Sequence, residues 1–272
     1  MRVLEIPMSP EGGRHLPYMT ALLQETMPQD PPGHRLPTVL VYPGGGYKHL
    51  SPREADPIAM EFAARGYQVF ILYYTVDPAR YPTPLIEGAR AMALIREHAD
   101  EWLVDPGKIA VCGFSAGGHA AGLLSCLWND EAVVRAGIDP EQARPNASIL
   151  CYSVLTSKPG YCHEGSFENL LCEDLDAKRG EMALETRVSA LTPPTFLWHT
   201  ATDQAVPVES SIWYARALAE HGVPFELHIF PNGPHGLALG RRRTAHVNEP
   251  DFPDVVQWMR LCCDWLHRLF GL

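Results

Sequence analysis

Runs of consecutive apolar residues alternate along this chain with segments whose apolar residues recur at helical spacing. The runs predict buried β-strands, and segments 3–6, 18–24 and 224–230 alternate as strands that expose one face. Strands that alternate with helices favour a mostly parallel sheet with helices on both faces. The continuous runs are residues 38–42, 67–74, 109–112, 148–154 and 194–199, and the helical segments are residues 54–65, 85–98, 116–124, 210–221 and 252–270.

The regular alternation is interrupted between residues 155 and 192, where glycines and acidic residues surround a weak helical pattern near residues 167–171. An insert that follows a strand of such a sheet lies beside the carboxyl ends of the strands, where the active sites of this class form. We therefore expect residues 155–192 to fold as a small cap over a site. With 272 residues, 46% of them hydrophobic, the chain is expected to form one domain over residues 1–272.

The charge of the chain argues against two classes of partner. The formal net charge is −10, and the basic cluster at residues 241–243 is short enough to be a solvated loop. Nucleic acids and anionic membrane surfaces require clustered lysines and arginines, so we expect neither as a partner. The sequence has neither a run of about 18 apolar residues nor the apolar segment of a signal peptide. We expect a cytoplasmic protein, and its oligomeric state, a homo-oligomer included, is left open.

Seven cysteines, an odd number without a secretory signal, do not indicate a disulfide framework. Cys162 and Cys172 lie near His163 in the insert, but their spacing matches no zinc pattern. We therefore expect no metal site.

The strongest chemical signal is the motif Gly-Phe-Ser-Ala-Gly-Gly around Ser115. An apolar strand pattern ends at Gly113, and residues 116–124 continue as a run of small residues that predicts a closely packed helix. Glycines at 113 and 117 leave room for a sharp turn that presents the serine hydroxyl, a nucleophile elbow. The N–H of Ala116, in the first turn of the helix, is then expected to face the oxyanion of an attacked carbonyl. The alternative is an ordinary glycine-rich turn, which the strand and helix patterns on either side disfavour.

A serine nucleophile needs a base, and the base needs an acid that orients it. In a sheet of this class, the acid and then the histidine follow the serine, each in a loop after a later strand. Asp203 follows the apolar run 194–199, and His235 follows the strand pattern 224–230. We predict a triad of Ser115, Asp203 and His235. The alternative for Asp203 is an N-cap of the following helix.

A second glycine motif follows the apolar run 38–42 and reads Pro43-Gly-Gly-Gly-Tyr47. Three consecutive glycines are costly to order, so they are expected where the backbone must approach something closely. We predict that two N–H groups of this loop face the same oxyanion as Ala116. The alternative is a flexible turn.

The motifs together resemble the α/β-hydrolase superfamily over nearly the whole chain. More narrowly, they resemble the bacterial acetyl-esterase group described as acetylxylan esterase-like. The resemblance implies a serine carboxylic ester hydrolase that removes acetyl groups, including those on xylo-oligosaccharides or related sugars, and that needs no metal or organic cofactor. The motifs that carry it are Tyr-Pro-Gly-Gly-Gly-Tyr (42–47), Gly-Phe-Ser-Ala-Gly-Gly (113–118), Gly-Ser-Phe-Glu-Asn-Leu-Leu (165–171), Pro-Pro-Thr-Phe-Leu-Trp-His-Thr (193–200) and Pro-Asn-Gly-Pro-His-Gly-Leu (231–237).

Matched position by position, the resemblance makes Gly45 and Gly46 the oxyanion donors of the glycine loop. Lipase-like members of the superfamily have a histidine where this chain has Pro43. The replacement disfavours a lipase and leaves open what holds the loop.

Aromatic or polar residues near the mouth of the site are candidates for contact with a sugar ring. We predict this role for Tyr47, Trp198 and His163; the alternative is core or cap packing. Two other functions stay open: an arylformamidase-like amide hydrolase or peptidase, and a non-catalytic binding protein. A binding protein predicts a broken triad, and roughly 100 residues before the elbow leave no space for the large propeller of prolyl peptidases.

Overall fold

The fold is described from a computed structural model, which covers residues 1–9, 11–245 and 250–272. Within these residues the strands form one eight-stranded sheet, in the order β1-β2-β4-β3-β5-β6-β7-β8. The strands are β1 (Arg2–Pro7), β2 (Tyr18–Leu23), β3 (Leu36–Tyr42), β4 (Gln68–Tyr73), β5 (Val104–Phe114), β6 (Ala147–Cys151), β7 (Thr195–Thr200) and β8 (Phe225–Phe230).

The pairing of the strands confirms the prediction of a mostly parallel sheet. β1 pairs with β2, and β2 with β4, in antiparallel fashion, whereas every later pair is parallel. The central strands β3, β5 and β6 are buried along most of their length, as continuous apolar runs require. Because these strands are parallel, the loops after β3, β5, β7 and β8 all leave the same edge of the sheet.

Helices cover both faces of the sheet, as the alternation of elements predicts. The α-helices are α1 (Asp56–Ala63), α2 (Thr83–Glu97), α3 (Ser115–Leu127), α4 (Glu131–Arg135), α5 (Pro140–Ala143), α6 (Glu164–Leu171), α7 (Leu175–Lys178), α8 (Glu209–Glu220), α9 (Pro253–Val256) and α10 (Trp258–Phe270). Short 3-10 turns occur at Pro52–Glu54, Cys172–Asp174, Arg179–Met182 and Leu184–Thr186. None of the helices in the described ranges has the length and apolar character needed to cross a membrane.

The core has two layers, one on each face of the sheet. Successive residues of β5 alternate between them: Val111 lies in the layer that contains residues of α2, α3 and α8, whereas Cys112 lies in the layer that contains residues of α1 and α10. This alternation follows from the two-residue period of a strand. A strand buried on both faces is therefore apolar at most positions, which is the pattern that predicts it.

Most element boundaries differ from the predicted ones by a few residues, and two of the differences change the course of the chain. The strand pattern ending at residue 154 stops at Cys151, because Tyr152 has a positive φ of 36° that no strand accommodates. The predicted C-terminal helix 252–270 is divided at Gln257 into α9 and α10. The first difference matters for the site, since the reversed backbone at Tyr152 directs the next residues over α3: the N–H of Val154 donates to the carbonyl of Ser115.

Candidate active site

The serine lies in the sharp turn that its glycines predict. Ser115 has φ 53° and begins α3 immediately after β5. A Cβ atom at Gly113 would lie 2.4 Å from the carbonyl oxygen of Gly117, and one at Gly117 would lie 2.3 Å from the carbonyl oxygen of Tyr42. Neither position accepts a side chain, so strand and helix approach closely enough to hold the serine in its strained conformation.

Ser115, His235 and Asp203 form a continuous hydrogen-bonded chain. The Nε2 atom of His235 lies 2.8 Å from the Oγ atom of Ser115. Its Nδ1 atom lies 2.7 Å from the Oδ2 atom of Asp203. A carboxylate accepts only, so Nδ1 carries the proton and Nε2 is left to accept from the serine hydroxyl. The three residues come from the loops after β5, β8 and β7, and the structure brings together all three members of the predicted triad.

The carboxylate of Asp203 is fully buried and held on both oxygens. Its Oδ1 atom accepts from the N–H groups of Ala205 and Val206, each at 2.9 Å. Its Oδ2 atom also lies 3.4 Å from the Nε2 atom of His199. Burial raises the pKa of Asp203, but the hydrogen bonds from His199 and His235 outweigh burial and bring the pKa well below its usual value. Asp203 is therefore ionised at neutral pH. Its backbone hydrogen bonds close a turn that precedes α8, so it is not the N-cap of that helix.

Polar side chains hold the glycine loop that follows β3. The carboxylate of Glu54 accepts a hydrogen bond of 2.8 Å from the N–H of Gly44. The side-chain amide of Asn169, in α6, donates to the carbonyl of Gly46 at 2.8 Å. Gly45 has φ 127°, and a Cβ atom there would lie 2.1 Å from the carbonyl oxygen of His49. The loop is thus an ordered turn held from two sides, which answers what holds it without the histidine of the lipase-like enzymes.

A cavity of 480 Å³ opens over the serine and histidine. The glycine loop forms one wall, and the insert and the segment after the loop form the others. Its lining residues are Gly45, Gly46, Lys48, His49, Ser51, Arg53, Glu54, Ser115, His163, Gly165, Glu168, Asn169, His235 and Gly236.

Comparison with known proteins places this arrangement in a family. Residues 90–260 match the prolyl oligopeptidase family model, and residues 23–151 match the BD-FAE family model. The acetyl ester-xyloside bifunctional hydrolase from Caldicellulosiruptor lactoaceticus has a similar structure, with a TM-score of 0.79 and 36% identity over 98% of this chain and 92% of that chain. The chain belongs to the α/β-hydrolase superfamily. The fold and the family that the sequence motifs predict are thereby confirmed.

Two curated relatives of this α/β hydrolase are enzymes named for xylan chemistry. Endo-1,4-beta-xylanase B of Butyrivibrio fibrisolvens is 37% identical over 206 residues, which are 74% of this chain and 32% of that protein. The acetylxylan esterase of Xylanibacter ruminicola is 30% identical over 240 residues, 86% of this chain and 47% of that protein. The chain thus spans about a third to a half of the length of these relatives.

Two of the predicted substrate contacts do not reach the cavity. Trp198 is fully buried on β7, where its ring lies 5.4 Å from that of Trp258 on α10. Tyr47 is 1% exposed, and its hydroxyl lies 2.7 Å from the Nδ1 atom of His119. The prediction of sugar contact for Trp198 and Tyr47 is therefore wrong for the same reason: a position near a strand end does not determine the direction of a side chain.

The third predicted contact, His163, does line the cavity. It precedes α6, and its Nδ1 atom lies 2.9 Å from the Oγ atom of Ser166. Burial lowers the pKa of His163, and repulsion from the protonated form of His235 lowers it further. This histidine therefore faces the cavity as a neutral hydrogen-bonding group. Ala116, the predicted third oxyanion donor, is buried in the first turn of α3, next to the serine.

Three polar residues that hold the site were not predicted: Glu54, Tyr152 and Asn169. Asn169 lies inside the quoted motif 165–171, and that motif is the signal by which it could have been found. Glu54 lies in a polar segment that resembles an ordinary helix start, and Tyr152 lies within an apolar strand pattern. Neither pattern distinguishes these two residues from structural ones.

A buried histidine links the elbow helix to the glycine loop and to the insert. The Nε2 atom of His119, on α3, lies 3.1 Å from the carbonyl oxygen of Met182 and therefore carries the proton. Its Nδ1 atom consequently accepts from the hydroxyl of Tyr47. Burial lowers the pKa of His119 from the ordinary 6.5 to about 4, so the ring is neutral in the folded protein.

We expect His119 to make the protein less stable as the pH falls from 6.5 towards 4. In that window the unfolded chain binds a proton that the folded protein does not, so the free energy of unfolding decreases, by about 3 kcal/mol in full. His119→Gln, which stays neutral, should lack this part of the decrease. Urea unfolding at about pH 7 and about pH 4.5 measures it. The half-buried His98 provides the control variant, His98→Gln. An equal decrease of the free energy of unfolding between the two pH values in His119→Gln and wild type would contradict the expectation.

Proposed function

We propose that the chain is a serine carboxylic ester hydrolase that removes short acyl groups, acetyl in particular, from a polar alcohol. The observation that carries the proposal is the chain of hydrogen bonds of 2.8 Å and 2.7 Å from Ser115 through His235 to Asp203. Ser115 and His235 line the cavity, and the glycine loop lines it as well. Relatives and similar structures named as esterases support the same reaction class.

The proposed reaction has two acyl-transfer steps. His235 accepts the proton of Ser115 as the serine oxygen attacks the ester carbonyl. The carbonyl–alkoxy bond then breaks, and the alcohol leaves with that proton from His235. A water molecule, deprotonated by the same histidine, attacks the acyl-enzyme and releases the acid and the free serine. Asp203, which is ionised, orients the ring and stabilises its positive charge in both steps.

The oxyanion of each step is assigned to backbone donors. Gly45 and Gly46 line the cavity, and Ala116 follows the serine at the N-terminus of α3. We propose the N–H groups of these three residues as the oxyanion hole. Fixed backbone donors of this kind stabilise the developing charge without reorganising.

The lining of the cavity favours a short acyl group and a polar alcohol. Among the described residues that line it, none is a valine, leucine, isoleucine, methionine, phenylalanine, tyrosine or tryptophan. A long acyl chain would therefore gain little from burial, whereas His163, Glu168 and Asn169 offer hydrogen bonds to hydroxyl groups. Acetylated xylo-oligosaccharides or related sugars fit this chemistry, and the names of the relatives support them.

The proposal predicts the order of activity on 4-nitrophenyl acetate, butyrate and octanoate. An apolar acyl pocket would raise kcat/KM about fourfold for each added methylene. We expect no such gain here: kcat/KM should be highest for the acetate and lowest for the octanoate. Acetate should also be released from acetylated xylo-oligosaccharides. Preference for the octanoate would contradict the short-acyl assignment, and failure to cleave any of these esters would overturn the proposed function.

A second candidate is amide hydrolysis, as in a peptidase or an arylformamidase-like enzyme. The match of residues 90–260 to the prolyl oligopeptidase family model favours it. An acyl 4-nitroanilide cleaved faster than the matching 4-nitrophenyl ester would establish it.

Residues 155–192 are proposed as the cap of the site. His163, Gly165, Glu168 and Asn169, all from this segment, line the cavity. The organisation as one domain and the cytoplasmic location stay predictions.

A further inference from the structure

A second buried carboxylate lies beside the site. Glu54 ends the 3-10 turn Pro52–Glu54 and is 3% exposed. Its Oε2 atom accepts from the N–H of Gly44 at 2.8 Å, and its Oε1 atom accepts from the hydroxyl of Tyr152 at 2.7 Å. One carboxylate therefore contacts the glycine loop after β3 and the residue that follows β6.

Tyr152 continues the connection to the histidine loop. Its hydroxyl oxygen accepts a hydrogen bond of 2.9 Å from the N–H of Ala238, three residues after His235. Its ring packs edge-on against the ring of His235, with 5.1 Å between the centroids. Burial, followed by the charge of Glu54, raises the pKa of Tyr152 well above its ordinary value, so the hydroxyl stays protonated and donates to the carboxylate.

The preceding residue of the same turn also holds the histidine loop. The guanidinium of Arg53 donates to the carbonyls of Gly236 and Thr244, each at 2.9 Å. Gly236 directly follows His235. The turn Pro52–Glu54 therefore contacts the histidine loop through Arg53 directly and through Glu54 by way of Tyr152.

The reacting serine is close to this carboxylate but is separated from it by backbone. A Cβ atom built on Gly44 would lie 2.7 Å from the Oε2 atom of Glu54 and 3.0 Å from the Cβ atom of Ser115. The backbone of Gly44 thus fills the space between the carboxylate and the elbow. Glu54 is therefore placed to hold Gly44 and Tyr152 in position. This role requires no contact between Glu54 and the serine hydroxyl.

We infer that Glu54 is a positioning residue that sets the glycine loop and His235 at the separation that acyl transfer requires. The inference rests on the proposed function, since it assigns Glu54 a role in the reaction of Ser115. One oxygen of the Glu54 carboxylate holds the glycine loop directly, and the other holds the histidine loop through Tyr152. Displacements of about 1 Å in such groups are enough to cost about 100-fold in rate.

Glu54→Gln is the informative change, because it keeps the shape and removes one acceptor. The amide oxygen can still accept from Gly44, but the amide nitrogen then faces the hydroxyl of Tyr152, whose proton is left without its acceptor. We expect kcat to fall roughly 10-fold with 4-nitrophenyl acetate and roughly 100-fold with an alkyl or sugar acetate, with KM changed less than about threefold. The alkyl substrate suffers more because its leaving group needs a proton from His235, whereas 4-nitrophenolate leaves without one.

Glu87→Gln is the matched control. Glu87 is also a buried carboxylate with two hydrogen bonds, both of them from Thr75. If Glu54 were only structural, the two variants would lose thermal stability alike and keep similar kcat values on both substrates. That result would overturn the inference. Equal losses of kcat on the aryl and alkyl esters would also overturn it, because only the alkyl leaving group needs a proton from His235.

Tyr152→Phe keeps the test valid if Glu54→Gln does not fold. This variant removes the hydroxyl that connects Glu54 to the histidine loop. Its kcat should also fall more with the alkyl ester than with 4-nitrophenyl acetate. The double variant should lose no more than about the worse single variant, because both changes break one chain of contacts. A wild type inactive on all esters would overturn the proposed function itself. An active wild type with an inactive Ser115→Ala variant and undiminished Tyr152→Phe and Glu54→Gln variants would overturn only the role of Glu54.

Discussion

Replacing Ser115 by alanine is expected to lower kcat for 4-nitrophenyl acetate by about 10⁴- to 10⁶-fold, because the nucleophile of both acyl-transfer steps is lost. The remaining rate reflects the oxyanion donors and substrate binding alone. Alanine has the same Cβ atom as serine, so the strain at φ 53° is unchanged and the elbow is expected to keep its conformation. Initial rates of 4-nitrophenol release, with the acyl-enzyme followed by mass spectrometry, measure the effect.

Ser125→Ala is the matched control for this change. Ser125 is also a buried serine of α3, with hydrogen bonds to the carbonyl of Ala121 and to the hydroxyl of Ser148. It should keep nearly the full kcat at a small cost in stability. If Ser115→Ala retained even a tenth of the wild-type activity while folded, the nucleophile would have to be sought elsewhere in the cavity.

The parts of this molecule that the sequence predicts well are those that depend on local pattern. Strands β3, β5 and β7 contain runs that are buried on both faces, and because most residues of these runs are apolar, each run is recognisable. Ser115 is recognisable because its turn excludes side chains at Gly113 and Gly117, where any Cβ atom would collide with backbone. Asp203 and His235 could be predicted because their order along the chain follows from the order of parallel strands.

The parts that could not be predicted depend on contacts between distant segments. Trp198 and Tyr47 lie near strand ends, yet their rings pack into the core because neighbouring helices cover those sides of the sheet. Glu54 meets its partner Tyr152 across 98 residues of chain. Patterns of neighbouring residues along the sequence do not predict a contact between residues so far apart. Residues that support a site are for this reason harder to recognise than residues that perform its chemistry.

Asp203→Asn is expected to lower kcat by about 10⁴-fold while the fold is kept. The amide oxygen can still accept from the N–H groups of Ala205 and Val206, so the turn keeps its hydrogen bonds. The amide nitrogen then faces the Nδ1 atom of His235 and donates to it. This places the proton on Nε2, where the ring can no longer accept from the serine hydroxyl. Steady-state kinetics on 4-nitrophenyl acetate, with thermal unfolding in parallel, separate this loss from a loss of stability.

The loss of kcat in Asp203→Asn is attributed to the changed tautomer of His235. A second aspartate, Asp130, tests this attribution. Asp130 likewise accepts a hydrogen bond from a backbone N–H two residues later, at Ala132, as the N-cap of α4. Asp130→Asn should therefore show any loss of stability that comes from exchanging a carboxylate for an amide in a turn. Its kcat should equal that of the wild type. If Asp203→Asn lost no more activity than Asp130→Asn, orientation of His235 by Asp203 would be dispensable, and the acid of the proposed triad would be wrongly assigned. If the loss is confined to Asp203→Asn, the buried carboxylate acts through His235, since the hydrogen bonds from Ala205 and Val206 survive the change.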